Sequence, residues 1–216
     1  MTDAVEPADT PIALDGRAVG RRGQKTRRLL LDATASLLET HGVRDLRVVE
    51  IARAVGTSPA TFYQYFRDVE EAVLALAERV GDELAPLLEL LDAPWDDDAG
   101  LDAARGLVAG FLEYWDRHRA VLRTRNLAAQ EGDARFREVR NHSLEPFLGG
   151  FATKIASAQA AGSVAVELTP RAAAAALVAL LERMAAFHHD LELLGVERDD
   201  LVETTARIVH QTVTGR

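Results

Sequence analysis

Apolar residues recur at three- and four-residue spacings along most of the chain. In a segment from about residue 22 to 41, Leu29, Leu30, Ala33, Leu37 and Leu38 follow this spacing, which is typical of one buried helix face. The same spacing predicts helices over about 68–91, 101–117, 119–130, 133–160, 169–190 and 198–213. Pro86 should kink the helix over 68–91 or end it early, and Pro146 or Gly149-Gly150 can interrupt the helix over 133–160. Because the alternation typical of strands is missing, the pattern predicts an all-α protein.

Two short amphipathic segments lie within residues 46–66, LRVVEIARAVGTSPATFYQYF. Val48, Ile51, Ala52 and Val55 form one apolar stripe, and Phe62 and Phe66 form another at i,i+4 spacing. Ser58 suits the N-cap of the second helix, with proline directly after it at the first helical position. The remaining face of that helix would present Pro59, Ala60, Thr61, Tyr63, Gln64 and Tyr65. Such a pair predicts a helix-turn-helix, whose second helix fits a DNA major groove about 12 Å wide.

Charge is unevenly distributed along the chain. The net charge is −9, yet residues 17–67 carry ten basic and four acidic residues, whereas residues 68–216 carry 15 basic and 26 acidic ones. A basic segment followed by a longer acidic one is consistent with a protein whose N-terminal part binds a polyanion. Taken alone, this charge pattern is also compatible with a solvated basic face that has no partner.

Composition narrows the classes of protein further. The chain has no cysteine, which excludes disulfide scaffolds and thiolate chemistry. No apolar run approaches the roughly 20 residues needed to span a bilayer, and the acidic N-terminus does not resemble a signal peptide. We therefore expect a cytoplasmic protein without a membrane partner, with a disordered arm over 1–20, a helix-turn-helix domain over 21–67 and a larger helical domain over 68–216.

The first third of the chain resembles the tetracycline-repressor (TetR) family of bacterial transcriptional regulators. The resemblance covers about residues 22–75 and rests on a basic helix ending in His-Gly, then VVEIARAVGTS, SPATFYQYF and RDVEEAVL. It implies an N-terminal three-helix DNA-binding domain, in which the helix at 68–91 links to a larger ligand-binding and dimerisation domain. One departure is Val69, where the family often has a lysine, so one phosphate contact is expected to be missing.

The family resemblance assigns DNA contacts to individual residues. The implied DNA-binding residues are Arg22, Lys25, Arg47, Thr57, Ser58, Pro59, Ala60, Thr61, Tyr63, Gln64, Tyr65 and Arg67. Hydroxyl and guanidinium groups suit phosphate oxygens, which set the position of the protein on DNA. Gln64 is the best candidate for reading a base, because its amide can pair with the N6 and N7 edge of adenine. The two tyrosines can alternatively cover the core of the small domain.

The resemblance also implies that the longer acidic segment binds a ligand and a second copy of the chain. The family forms homodimers through its last two long helices, here about 169–190 and 198–213, and holds a small-molecule inducer between its middle helices. The candidate pocket residues are Phe111, Trp115, Leu122, Asn126, Phe147, Phe151, Glu182, Met184 and Phe187. We expect a repressor that a lipophilic or aromatic ligand releases from a palindromic operator. For any single apolar residue in this set, a place in the packed core is the simpler interpretation.

Two other functions remain open at this point. A DNA-binding regulator without a small-molecule effector would have the same N-terminal domain. An all-helical enzyme has little support, since no catalytic residue, cofactor site or phosphate-binding glycine loop is indicated. The six histidines are scattered along the sequence. The side chains of the adjacent pair His188-His189 would project from a helix in directions about 100° apart, unlike the i,i+4 histidine pair of a helical metal site. No metal site is therefore expected.

Overall fold

The computed structural model describes residues 20–95 and 98–216, where all regular structure is helical. The predicted all-α fold is confirmed. The predicted arm over 1–20 lies, apart from Gly20, outside the described residues. The chain forms two compact units, Met1–Ala77 and Glu78–Arg216, so the division falls later than the boundary predicted after residue 67.

The N-terminal unit contains three helices and the beginning of a fourth: α1 (Arg21–Leu38), α2 (Val48–Ala54), α3 (Pro59–Phe62) and α4 (Val69–Asp82). α2 packs against both α1 and α3. The core of this unit contains part of each predicted apolar stripe, namely Leu30, Ile51, Phe62 and Phe66, all at most 1% exposed. Val48 and Val55 are half-buried, and Leu29, predicted on the buried face of the first helix, is 43% exposed. α3 is a single regular turn, after which the N–H groups of Gln64 and Tyr65 donate to the carbonyls of Thr61 and Phe62 at 3.2 and 2.9 Å.

α4 is shorter than the predicted helix over 68–91. It ends at Asp82, and a 3₁₀ turn over Ala85–Leu87 leads into the short helix α5 (Leu88–Asp92). Pro86 explains the early end, because it has no N–H to donate and its ring would clash with the carbonyl four residues earlier, that of Asp82.

The C-terminal unit is built around α6 (Asp98–Gln130), which contacts α5, α7 (Ala134–Ala160), α8 (Pro170–Leu193) and α9 (Arg198–Thr214). α6 joins the two helices predicted over 101–117 and 119–130, and its one non-helical residue, His118, lies between them (φ −123°, ψ 19°). The interruption expected at Pro146 does not occur. Pro146 and His142 are both exposed, so the carbonyl that loses its partner can face solvent.

Candidate DNA-binding interface and helical core

A glycine turn connects α2 to α3. Gly56 adopts a left-handed conformation with φ of 69°, which costs a residue with a Cβ roughly 1–2 kcal/mol. The N–H of Gly56 donates to the Arg53 carbonyl at 3.1 Å, and that of Thr57 donates to the Ala52 carbonyl at 2.9 Å. This Schellman motif closes α2 and fixes the direction in which the chain enters α3.

The start of α3 is held by its own side chains. The Ser58 Oγ accepts a hydrogen bond from the backbone N–H of Thr61 at 3.3 Å and shares a second one, of 3.1 Å, with the Thr61 hydroxyl. Phe62 and Phe66 anchor the opposite side of the turn, with ring centroids 5.4 Å apart. Capping and burial together leave the outer face of α3 available for contact.

The candidate base- and phosphate-contacting residues lie on this outer face, which includes the turn over residues 63–65 directly after α3, where the sequence had predicted a continuing helix. Pro59, Ala60 and Gln64 are exposed, and Tyr63 is 51% exposed with its ring edge-on to Phe62 at 5.8 Å. Thr61 and Tyr65 are half-buried. Tyr65 lies against Phe66 at 6.5 Å, so it partly covers the core, as one of the two sequence interpretations allowed.

The other candidate phosphate-contacting residues belong to the same unit. Arg22 and Lys25 are exposed on α1, Arg47 is exposed directly before α2, and Thr57 is half-buried in the turn. The backbone N–H of Arg47 donates to the Glu50 carboxylate at 3.2 Å. The Arg67 guanidinium lies 3.2 Å from Glu71 but remains 68% exposed. All of these residues precede the division between the units.

In the C-terminal unit, five of the candidate pocket residues form part of the interior: Phe111, Trp115, Leu122, Phe147 and Phe151, none more than 5% exposed. The rings of Phe111 and Phe147 meet nearly perpendicular at 5.1 Å. Met184 is half-buried. Phe187 lies at the surface of α8 instead, with the Arg183 guanidinium 3.6 Å from its ring centroid. The interior thus combines residues of α6 and α7.

Asn126 and Glu182, the two polar residues of the candidate pocket set, belong to a largely buried ion cluster. The Glu182 carboxylate accepts from Arg125 Nη2 at 3.3 Å, from Asn126 Nδ2 at 3.4 Å and from Arg140 Nε at 3.0 Å. Arg125 is 1% exposed, and its burial lowers the pKa of the guanidinium. Sequence reasoning missed both arginines, because arginine is usually a surface residue.

Trp115 Nε1, a buried donor on α6, has no hydrogen-bond partner within the described residues, whereas the nearby buried Tyr114 hydroxyl interacts with the Arg125 guanidinium. Burial raises the pKa of Tyr114 to about 12. Buried donors without partners are rare in folded proteins and indicate a water, ion or ligand that satisfies them.

His188 and His189 do not diverge as expected. Their ring centroids are 3.9 Å apart, and both Nε2 atoms lie close to Asp116 Oδ1 of α6, at 2.8 and 3.0 Å. The Cβ atoms leave α8 in different directions, but imidazole rings reach far enough to converge on a carboxylate of the neighbouring helix.

No helix within residues 20–95 and 98–216 is both long and apolar enough to span a bilayer.

Comparison with known proteins identifies both units. The family model described as "Bacterial regulatory proteins, tetR family" matches residues 30–76, and "Tetracyclin repressor-like, C-terminal domain" matches residues 87–216. The HTH-type transcriptional regulator EthR of Mycobacterium tuberculosis is 34% identical over 124 residues. That alignment spans 56% of each chain, so the chain matches about half the length of this curated relative.

Solved structures share the fold. NalD, the secondary repressor of a multidrug efflux pump in Pseudomonas aeruginosa, has a TM-score of 0.65 at 22% identity, covering 89% of this chain and 97% of its own. FadR of Bacillus subtilis, solved with stearoyl-CoA, has a TM-score of 0.63 at 15% identity, with 88% and 98% covered. The model matching residues 87–216 covers more than half of the sequence, and the chain belongs to the TetR family of bacterial regulatory proteins.

Proposed function

We propose that this chain is a homodimeric DNA-binding repressor that an apolar small molecule releases from a palindromic operator. The observation that carries the proposal is the outer face of α3. It presents Tyr63 and Gln64 to solvent while Phe62 and Phe66 are buried beneath them. Exposed aromatic and amide groups on a capped turn, in a unit that also carries exposed basic residues, suit contact with DNA phosphates and base edges.

The proposed contacts divide by chemistry. Arg22, Lys25, Arg47 and Arg67, together with the hydroxyl groups of Thr57, Ser58, Thr61, Tyr63 and Tyr65, would bind phosphates. Gln64 would read a base, and Pro59 and Ala60 would lie against thymine methyl groups. Contacts of the first kind supply affinity that falls with salt, whereas contacts of the second kind supply sequence preference.

Two copies of α3 at a fixed separation are needed for a useful operator preference. An exposed small-residue stripe on α8 suits the proposed dimer contact: Ala172, Ala175, Ala176 and Ala179, continued by Arg183 and Phe187. On α9, Ile208 is 45% exposed. Small residues let two helices approach closely, and the surface position of Phe187 supplies an aromatic anchor of the kind enriched at interfaces.

Replacing Gln64 with alanine is expected to reduce operator preference without abolishing DNA binding. The comparison is between the operator and a duplex in which the contacted adenine is replaced by another base. Loss of one bidentate base contact should lower the preference for the operator by about 1–3 kcal/mol, or roughly 5- to 150-fold. Fluorescence anisotropy with an operator footprinted upstream of the chain's own gene measures this ratio.

The matched control is Gln130→Ala, an exposed glutamine on α6, which should leave the ratio unchanged. If Gln64→Ala keeps the full preference, Gln64 does not read a base. If the wild-type chain prefers no palindromic duplex over bulk DNA, the whole proposal fails.

The ligand is proposed from the interior of the C-terminal unit. Trp115 places an unpaired N–H among buried aromatic side chains, beside the buried Tyr114 hydroxyl that interacts with Arg125. A ligand with an apolar body and a polar group would satisfy the Trp115 N–H. The structure of FadR solved with stearoyl-CoA has the same fold, which supports fatty-acyl compounds as one class to test beside aromatic ones.

Screening fatty-acyl and aromatic compounds should therefore identify one that raises the melting temperature and releases operator DNA. Saturation at 100 times Kd adds about 2.7 kcal/mol, which corresponds to roughly 5–10 °C for a chain of this size. Tyr114→Phe removes the buried hydroxyl beside Trp115 with little change in volume, and it should reduce the shift. A screen without any stabilising compound would favour the alternative, a regulator without a small-molecule effector.

A further inference from the structure

A cluster of two histidines and one aspartate lies apart from the proposed DNA-binding face. Asp116 belongs to α6, whereas His188 and His189 are neighbours on α8. Asp116 Oδ1 is 2.8 Å from His188 Nε2 and 3.0 Å from His189 Nε2. The three donor atoms lie within 4.8 Å of one another, so they converge on one point between the two helices.

Hydrogen bonds on the far side of each ring determine which nitrogen faces the cluster. His188 Nδ1 lies 2.8 Å from the Ala185 carbonyl, and His189 Nδ1 lies 3.2 Å from the Glu192 carboxylate. Both partners can only accept, so each Nδ1 must donate its proton. In a neutral imidazole the lone pair then belongs to Nε2, and both lone pairs point toward Asp116.

The facing nitrogen of the buried histidine has no hydrogen-bond partner within the described residues. His188 is 1% exposed, and its Nε2 forms no hydrogen bond of acceptable geometry despite its distance from Asp116. When both rings are neutral, the two Nε2 lone pairs face the carboxylate oxygen, and a cation bound between them relieves the repulsion. Arg198 Nη1 donates to the other carboxylate oxygen, Oδ2, at 2.9 Å, which orients Asp116 and leaves Oδ1 for a further positive charge.

We propose that Asp116 Oδ1, His188 Nε2 and His189 Nε2 bind a divalent first-row transition-metal ion, of which Zn²⁺ is the best fit. Zinc accepts imidazole nitrogen and carboxylate oxygen at about 2.0–2.2 Å in tetrahedral geometry, which places donor atoms about 3.3 Å apart. The observed separations require only small side-chain movements. Water would occupy the fourth position.

The surroundings favour such an ion over the alkaline-earth cations. Mg²⁺ and Ca²⁺ take oxygen ligands, whereas two of the three donors here are imidazoles, which suit zinc, copper and nickel. The Glu192 carboxylate behind His189 and the Ala185 carbonyl behind His188 are the outer partners typical of metal-binding histidines. The site is also accessible, because the side chains of Asp116 and His189 are 32% and 46% exposed.

The ion would tie α6 to α8 within the C-terminal unit. One ligand comes from α6 and two come from α8, so a bound ion would link two helices that are distant in sequence. Sequence analysis predicted no metal site, because the adjacent histidines lack the i,i+4 spacing and their carboxylate partner comes from another helix.

The test uses the full chain, purified without a polyhistidine tag and freed of metal with a chelator. Titration calorimetry with Zn²⁺ should give one ion per chain, and Mg²⁺ should give no heat of binding. Glu192→Gln should weaken Zn²⁺ binding about 10- to 100-fold, as is typical of outer partners. Asp116→Asn and His189→Gln each alter a direct ligand and should weaken it by more than that.

The control is His142→Gln, which alters an exposed histidine on α7 and should bind Zn²⁺ as the wild type does. Circular dichroism confirms that the variants fold; the half-exposed His189 is the safest site to change. Substoichiometric binding, or binding that Asp116→Asn and His189→Gln leave unchanged, would overturn the proposal. Because the readout is metal binding, its failure is separate from a failure of operator recognition.

Discussion

Replacing Glu182 with leucine is expected to lower the free energy of unfolding by about 3–5 kcal/mol. The substitution removes the carboxylate that faces Arg125 and Arg140. Arg125, at 1% exposed, would keep a buried charge without a counter-ion, which is among the most costly single defects in a protein core. Urea denaturation followed by circular dichroism measures the change.

Two further variants test whether the loss arises from the uncompensated buried charge. Glu145→Leu removes the carboxylate of an exposed pair with Arg171 and should cost less than about 1 kcal/mol. The double variant Arg125→Met with Glu182→Leu removes both buried charges and should recover most of the loss, which keeps the comparison measurable if the single variant does not fold. A Glu182→Leu change below about 1 kcal/mol would show that the cluster contributes little.

Placing an arginine at Ala176 is expected to separate the dimer and weaken operator binding at least about 1000-fold. Ala176 lies in the exposed alanine stripe of α8, where a charged side chain would be buried against its copy. Monomers would present one α3 at a time and retain affinity close to that for non-specific DNA, which is typically 10³- to 10⁷-fold weaker. Analytical ultracentrifugation and fluorescence anisotropy measure the two effects.

Ala156→Arg adds the same charge at an exposed alanine of α7, so it controls for non-specific attraction to DNA. It should remain dimeric and keep the operator affinity. If Ala176→Arg also remains dimeric, the subunit contact lies elsewhere on the chain.

The helices could be predicted because their signals are local. The spacing of leucines in α1 and the cap at Ser58 with Pro59 depend on neighbouring residues alone. The same holds for the break near His118, where the sequence predicted two helices and the structure has one interrupted helix. The end of α4 at Asp82 follows from Pro86, although the sequence pattern alone extended that helix to residue 91.

The polar clusters could not be predicted because they depend on how helices align with one another. Glu182 of α8 accepts hydrogen bonds from Arg125 of α6 and Arg140 of α7. Asp116 lies beside the histidine pair because α6 packs against α8. Trp95 is a similar case. It lies within DAPWDDDAG (92–100), a stretch rich in acidic and turn-forming residues, yet Trp95 is 3% exposed and its ring centroid lies 5.9 Å from that of Phe151.

The cap at the start of α3 affects how genetic screens of this chain are interpreted. Ser58 is a candidate phosphate-contacting residue, but its hydroxyl also holds the first turn through Thr61. Loss of an N-cap costs about 1 kcal/mol of helix stability, so a Ser58→Ala mutant that fails to repress does not by itself identify a lost phosphate contact. Serine-to-threonine exchange at this position separates the two roles, because threonine preserves the cap while it adds a methyl group to the surface that meets DNA.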